Sequence, residues 1–128
     1  MTTWLSHPTA SVFVAEREGE PCGFLLAALS PALAQDWRFD AEILAIAVRP
    51  RDRGQGVGGH LLDAALAWAR GRASHLPLTR VVLSTAVDNV AAQRLFATRG
   101  FRHSGRRQHL YADGTDAFRM VLPLPRFG

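Results

Sequence analysis

Short apolar blocks and longer stretches of helical period alternate along this chain. Ser11–Glu16 and Cys22–Leu29 are two such blocks on either side of "EGEP" at 18–21, which predicts a β-hairpin. Ala41–Val48 is an apolar run that stops at Pro50, a third strand. Over Gly58–Arg70 the spacing changes: Leu61, Leu62, Ala65, Leu66 and Trp68 recur at helical intervals, and Gly71 is placed to end that helix. Arg80–Ala86, with "VVL" at its centre, reads as a buried strand. Asp88 or Asn89 is placed to cap a second helix reaching about Thr98, closed by Gly100. Two last strands, Phe101–Tyr111 and Ala117–Leu122, flank the turn signal "ADGTD". The order β-β-β-α-β-α-β-β predicts an α/β fold on a mixed sheet, parallel where helices cross over and hairpin-paired at both ends.

No repeat, low-complexity tract or Pro/Gly/Ser linker divides the sequence, so residues 1–128 are expected to form a single domain. No apolar run approaches the ~18 residues of a membrane span, and the N-terminus lacks a secretory pattern. The expectation is a cytoplasmic protein with no membrane partner. All 15 Lys+Arg residues are arginine. A chain without lysine has neither a Walker-A phosphate site nor lysine Schiff-base chemistry. Cys22 is the sole cysteine, which excludes an intrachain disulfide and a cysteine metal cluster; between glycine and apolar neighbours it reads as a buried structural thiol. The formal charge of +4 raises the question of an acidic partner. Its arginines gather around a glycine-rich loop and at Arg102–Arg107 rather than in an aromatic-interleaved stripe, so specific nucleic-acid binding is not expected.

The chemistry concentrates in "VRPRDRGQGVGGHLL", residues 48–62. Its glycines allow tight turning and close approach, and the helix behind them aims unpaired N–H groups and a positive dipole end at an anion, most simply a phosphate. Gly54, Gly56 and Gly59 formally match a dinucleotide-binding loop. That reading wants an acidic residue about 20 positions further on, and Asp88 comes too late. A plain turn is a third reading, but four glycines cost conformational entropy that a plain turn need not spend.

A second stretch, "DNVAAQRLFATRGF" at 88–101, decides among them. Taken with "AVRPRDRGQGVG", it strongly resembles the GNAT superfamily, the Gcn5-related N-acyltransferases. The family's pyrophosphate pattern Arg/Gln-x-x-Gly-x-Gly/Ala falls on Arg53, Gly56 and Gly58. The family's Asn-x-x-Ala-x-x-Leu-Tyr falls on Asn89, Ala92, Leu95 and Phe96. The resemblance runs from about Ser11 to Leu124 and implies a GNAT-like acyl-CoA N-acyltransferase fold with acetyl-CoA as acyl donor and no metal. It implies a pyrophosphate resting on N–H groups of Gln55, Gly56, Val57 and Gly58, within a loop that includes Gly54 and Gly59, with charge from Arg53 and Arg51. The pantetheine arm would lie like an added strand along Ile46, Ala47 and Val48. Asn89 and Phe96 would border it from the second helix, where Arg94 and Arg99 either reach the adenosine phosphate or stand as solvated surface charges.

Acyl transfer to an amine needs a proton acceptor, an oxyanion donor and a protonated leaving thiolate. The resemblance puts the oxyanion donor on a main-chain N–H near Ala47 or Val48. Glu42 is the only glutamate after Glu20, and strict alternation would put it on one strand face with Leu44, Ile46 and Val48; it is the candidate base, or merely the strand's exposed start. The family's acid is the tyrosine of its Leu-Tyr pair, and this chain has Phe96 there. Tyr111, the only tyrosine, is the first substitute; His103 and His109 share its strand parity, while His60 and His75 are isolated. The family's usual first strand and two helices have no counterpart in Met1–Ala10. The edge of Ser11–Ala15 is then expected to lie unpaired, with Trp4 and Leu5 as a helix remnant, and a homodimer or partner protein to cover it. Trp37, Arg38 and Phe39 would border the acceptor pocket. The expectation is an N-acetyltransferase acting on a primary amine of a small molecule or protein by direct attack in a ternary complex; the alternative is a non-catalytic acyl-CoA-binding sensor or subunit.

Overall fold

The computed structural model describes residues 2–6, 10–31 and 38–125, of which residues 2–6 and 31 are described by backbone alone. Seven strands form one sheet: β1 (Thr2–Ser6), β2 (Ala10–Arg17), β3 (Glu20–Pro31), β4 (Phe39–Val48), β5 (Leu78–Ala86), β6 (Arg102–Arg107) and β7 (Ala117–Pro123). Helix α1 (Val57–Ala73) joins β4 to β5, and α2 (Val90–Thr98) joins β5 to β6. Spatial order is β1-β2-β3-β4-β5-β7-β6, antiparallel throughout except for the parallel pair β4–β5 that α1 bridges. This is the mixed α/β sheet the pattern predicts, with one more strand at its front.

That strand corrects two expectations. Thr2–Ser6 is extended rather than a helix remnant, and it pairs with Ser11–Ala15, whose edge is therefore occupied. The backbone N–H and C=O groups of β2 bond in a ladder on both sides, the cheapest way to satisfy them. Between β2 and β3, Glu18 and Gly19 both take positive φ, +53° and +79°, and close a two-residue hairpin of the kind "EGEP" suggested.

Leu61, Leu62, Ala65, Leu66 and Ala69 of α1 pack on one face of the sheet against Phe13, Leu25, Ala41, Ile43, Val81 and Leu83. Phe96 of α2 joins the same core and meets Phe101 edge-on at 5.8 Å. Cys22 is buried in it as a free thiol. Gly71 does not end α1; it lies two residues inside, where a Cβ would meet open space, and the helix closes at Ser74. Gly100 does end α2, at φ +96°, and Asn89 caps its start by accepting the Ala92 N–H. The strand expected over Phe101–Tyr111 stops at Arg107. Asp116 accepts the His109 N–H, and His109 itself turns to φ +52°, so residues 108–116 form a loop carrying Tyr111.

The feature that positions everything else is an irregularity in β4. Leu26 pairs with Ala45 but Ala27 pairs with Ile43, so Leu44 is an extra residue, a β-bulge, and it is 54% exposed. The parallel pairing of β4 with β5 ends at the same point, with Ile43 opposite Leu83. Beyond it β4 runs on to Val48 and β5 to Ala86 with no ladder between them. The sheet splits there.

Candidate acyl-CoA site

A cleft of about 650 Å³ opens at this split. It is walled by Ile46–Val48 of β4, by the glycine loop and first turn of α1, and by Asn89, Ala92, Leu95 and Phe96 of α2. These are residues from the two sequence stretches that carried the resemblance, brought together because α1 and α2 lie side by side on one sheet face.

The glycine loop owes its shape to two left-handed positions, Gly54 at φ +76° and Gly56 at φ +82°. Any other L-residue at either is strained. Gly56 is the N-cap of α1 and has no side chain to cap with; its carbonyl accepts the His60 N–H in the first helical bond. The N–H groups of Val57, Gly58 and Gly59 thus have no partner within the helix, and no acidic residue stands in the first turn. Small residues here also let neighbours close in: a Cβ at Gly58 would lie 3.4 Å from Leu95, and one at Gly59 would run into the Arg99 guanidinium. A bare, uncapped helix start beside a cleft fits a pyrophosphate.

The loop leading into it is pinned by charge. Asp52, nearly wholly buried in a 3-10 turn (Pro50–Asp52), takes ion pairs from Arg49 and from Arg17 at 3.5 Å. The Arg49 guanidinium, hydrogen-bonded to it, holds the Asp52 carboxyl below the usual carboxylate range. Glu20 binds both Arg49 and Arg51 at 3.1 Å. Arg51 is therefore spent on Glu20, while Arg53 lines the cleft and donates to the Val48 carbonyl at 3.2 Å. Arg99 is held by Asp63 at 3.0 Å. Sequence reasoning missed the Asp52 cluster; the only signal was one acid among the three arginines Arg49, Arg51 and Arg53.

Of the residues named for the cofactor, Ile46, Ala47, Val48, Arg53, Gly54, Gly56, Val57, Gly58, Gly59, Asn89 and Phe96 all line the cleft. The exception is Gln55, which lines an adjoining depression with Arg17 and Cys22. Phe96 is buried and presents no proton to the site.

Glu42 sits one residue before the last β4–β5 pair, opposite Val82 and Ala28. The expected shared face with Ile46 and Val48 is wrong. The extra residue Leu44 shifts the alternation, so Ile43, Ile46 and Val48 pack toward the helices and Glu42 toward the other face. Glu42 therefore stands across the sheet from the cleft, at the apex of the split. Tyr111 is in the 108–116 loop, which meets the split end of β5 through the Val87 N–H to the Asp116 carbonyl at 3.1 Å. It is 37% exposed, and partial burial of the ring pushes its hydroxyl above the ordinary tyrosine range. It does not line the cleft. His109 shares that loop, while His103 is in β6 with its ring edge-on to Phe118 at 4.8 Å, so their expected parity with Tyr111 does not hold. Arg38 is exposed and Phe39 begins β4; Trp37 lies outside the described residues. Among the described residues no three of His, Cys, Asp and Glu converge as a metal site would, and no helix is long and apolar enough to cross a membrane.

Comparison with known proteins agrees with this geometry. The family model described as "Acetyltransferase (GNAT) family" matches residues 1–101. An N-alpha-acetyltransferase of Sulfurisphaera tokodaii is 29% identical over 131 residues, covering 94% of this chain and 73% of the relative. Among solved structures, the ribosomal-protein-S18-alanine N-acetyltransferase of Escherichia coli superposes with a TM-score of 0.76 at 26% identity, over 96% of this chain and 74% of that one. A chain of the NatC complex bound to Gag peptide and CoA gives 0.74 at 27% identity, over 91% of this chain and 71% of that one.

Proposed function

Because this chain belongs to the GNAT family of acetyltransferases and is an acetyl-CoA-dependent enzyme, we propose that its acceptor is the free α-amine of a polypeptide N-terminus. The observation that carries the cofactor half is the uncapped start of α1 beside the split between β4 and β5. Support for the acceptor half comes from relatives named for N-alpha-acetylation.

Bound acetyl-CoA supplies an activated thioester. The N–H groups of Val57, Gly58 and Gly59, with Gln55 and Gly56 behind them and Arg53 alongside, are proposed to hold its pyrophosphate. Main-chain groups of Ile46, Ala47 and Val48 that point away from β3 have no strand beside them; they are proposed to hold the pantetheine amides and to donate to the carbonyl oxygen. The acceptor approaches from the opposite face, so that the two substrates meet through the split. Glu42, on that face at its apex, is proposed to take the amine's proton. Tyr111 is proposed to give one to the departing sulfur, since Phe96 has none to give. A thiol of pKa about 8.5 leaves tolerably even without help, which makes the second role the smaller.

The same reading takes the chain to work in the cytoplasm. It also has the face carrying exposed Phe24 and Leu44 covered by a second copy or a partner subunit, which light scattering on the purified chain tests.

Calorimetric titration of acetyl-CoA into the wild type and Gly56→Glu is the first test. Saturable binding lost in the variant supports the cofactor site. A following screen of N-terminal peptides by mass spectrometry then tests the acceptor: binding of acetyl-CoA without turnover of any peptide overturns the α-amine reading, and the non-catalytic reading that Phe96 suggests is favoured only where other amine classes fail as well.

A further inference from the structure

On the sheet face opposite the helices, polar side chains without partners gather beside the split. Val81 and Leu83 are core residues, so alternation turns Val82 and Ser84 to the face that carries Glu42. Ser84 is the first residue of β5 past its last pair with β4. Its Oγ is shielded from solvent and has no hydrogen-bond partner. A buried hydroxyl left unpaired is destabilising, and native proteins rarely keep one without a use.

Directly opposite Ser84, on β7, stands Arg119, half-buried. Arg17, Arg49, Arg51, Arg80, Arg99 and Arg106 all pair with acids; the Arg119 guanidinium has no ion pair or hydrogen bond among the described residues. Arg102 and Arg107 of β6 lie opposite Val121 and Ala117, on the same face as Arg119, and are likewise unpaired. Charges on an edge strand keep it from pairing with other chains. That accounts for Arg102 and Arg107 but not for Arg119, whose strand has a neighbour on both sides.

We propose that the acceptor is an N-terminus with an acidic side chain within its first few residues, whose carboxylate is held by Arg119, beside the buried Ser84 hydroxyl. This rests on the α-amine reading above. Arg119 is two strands across and two residues along from Glu42, roughly 12 Å at ordinary strand spacing. An extended peptide advances about 3.3 Å per residue, so an acceptor with its amine at Glu42 lays its second to fourth residues over Arg119 and toward β6. A carboxylate matches the guanidinium fork in shape as well as charge. Arg102 and Arg107 extend the same preference along the peptide.

The test uses three peptides identical except for Glu, Gln or Lys at positions 2–4, assayed with acetyl-CoA at physiological salt. The expected order of kcat/KM is Glu, Gln, Lys, with Glu over Gln by about tenfold or more. Arg119→Gln collapses that ratio by lowering kcat/KM for the Glu peptide most, and Ser84→Ala lowers it in part. Arg70→Gln, which removes the same charge from the exposed surface of α1, leaves the ratio intact and so separates the site from net charge. Equal use of the three peptides, or preference for Lys, overturns the proposal. If no peptide is acetylated, the α-amine reading fails, and the present proposal is read instead from anisotropy of the labelled peptides with CoA-saturated protein. Tighter Arg119-dependent binding of the Glu peptide then supports it, and equal binding overturns it. A single-stranded oligonucleotide that binds this face more tightly than the Glu peptide at physiological salt also overturns it.

Discussion

Gly56 holds φ +82° at the cap of α1, and a Cβ there would meet nothing within 4 Å. Space is free, so the demand for glycine is conformational. Gly56→Ala is expected to lose about 1–2 kcal/mol of stability while still binding acetyl-CoA weakly; Gly56→Glu adds a carboxylate at the proposed pyrophosphate position and is expected to abolish binding. Thermal unfolding and calorimetry on the two variants separate strain from repulsion. Glu42 makes the complementary case. It stands outside the cleft, so Glu42→Gln is expected to lower kcat by about 10²-fold with the Kd for acetyl-CoA unchanged. Loss of acetyl-CoA binding in that variant would remove Glu42 from the acceptor face. Tyr111→Phe is expected to lower kcat by about tenfold, and an unchanged kcat would assign protonation of the sulfur to solvent. Glycine and glutamate were legible in the sequence as residue types. The face that Glu42 occupies was not, because a single inserted residue, Leu44, reverses the alternation on which that inference depended.

At the scale of elements, caps and ion pairs set the cleft's walls. Asn89 caps α2 through the Ala92 N–H and also lines the cleft. Asn89→Ala is expected to cost about 1 kcal/mol, lowering Tm by roughly 3–6 °C and weakening acetyl-CoA binding beyond what the stability loss explains. The cap was visible in the sequence because the Asn is followed directly by an apolar helical run. The carboxyls that order the two loops flanking the split, Asp52, Asp113 and Asp116, are all held below their ordinary range, Asp52 chiefly by Arg49, Asp113 by Thr115 and Asp116 by the His109 N–H. Groups depressed in the folded state add stability that is fully present above the unfolded pKa of about 4 and disappears as pH falls below it. Tm is therefore expected to fall steeply below about pH 4, with a smaller acid-dependent loss in Asp52→Asn. An acid limb identical in the two proteins would mean that the Arg49–Asp52 pair does not order the loop. That pair escaped sequence reasoning because its third member, Arg17, comes from β2, more than thirty positions away in the chain.

For the whole molecule, the central fact is a sheet that parts between β4 and β5, with a cleft on its helix side and a basic face on the other. Ligand that binds only the folded, split sheet stabilises it by mass action. At a hundredfold excess over Kd, acetyl-CoA is expected to add about 2.7 kcal/mol, and hydrogen exchange at residues 44–48 is expected to slow with it. A thermal shift without protection of those amides would place the ligand elsewhere. The order of elements, the glycine loop and the Asn-capped helix follow from the sequence, because each depends on local causes: apolar period, positive-φ glycines and a capping side chain. The helix expected where β1 runs, and the bare edge expected where it pairs, fail because pairing is long-range and five extended residues carry no period of their own. Length alone likewise made a strand of Phe101–Tyr111, where the Asp116 side chain and a left-handed His109 turn it into a loop. What the sequence by itself determined is the fold class and the residues that come together at the uncapped start of α1. Tertiary structure alone decided that the sheet splits after Ile43, that Glu42 lies across it from the cleft, and that Ser84 and Arg119 stand together unpaired. Register and bulges are settled between strands distant in the chain, and no local pattern encodes them.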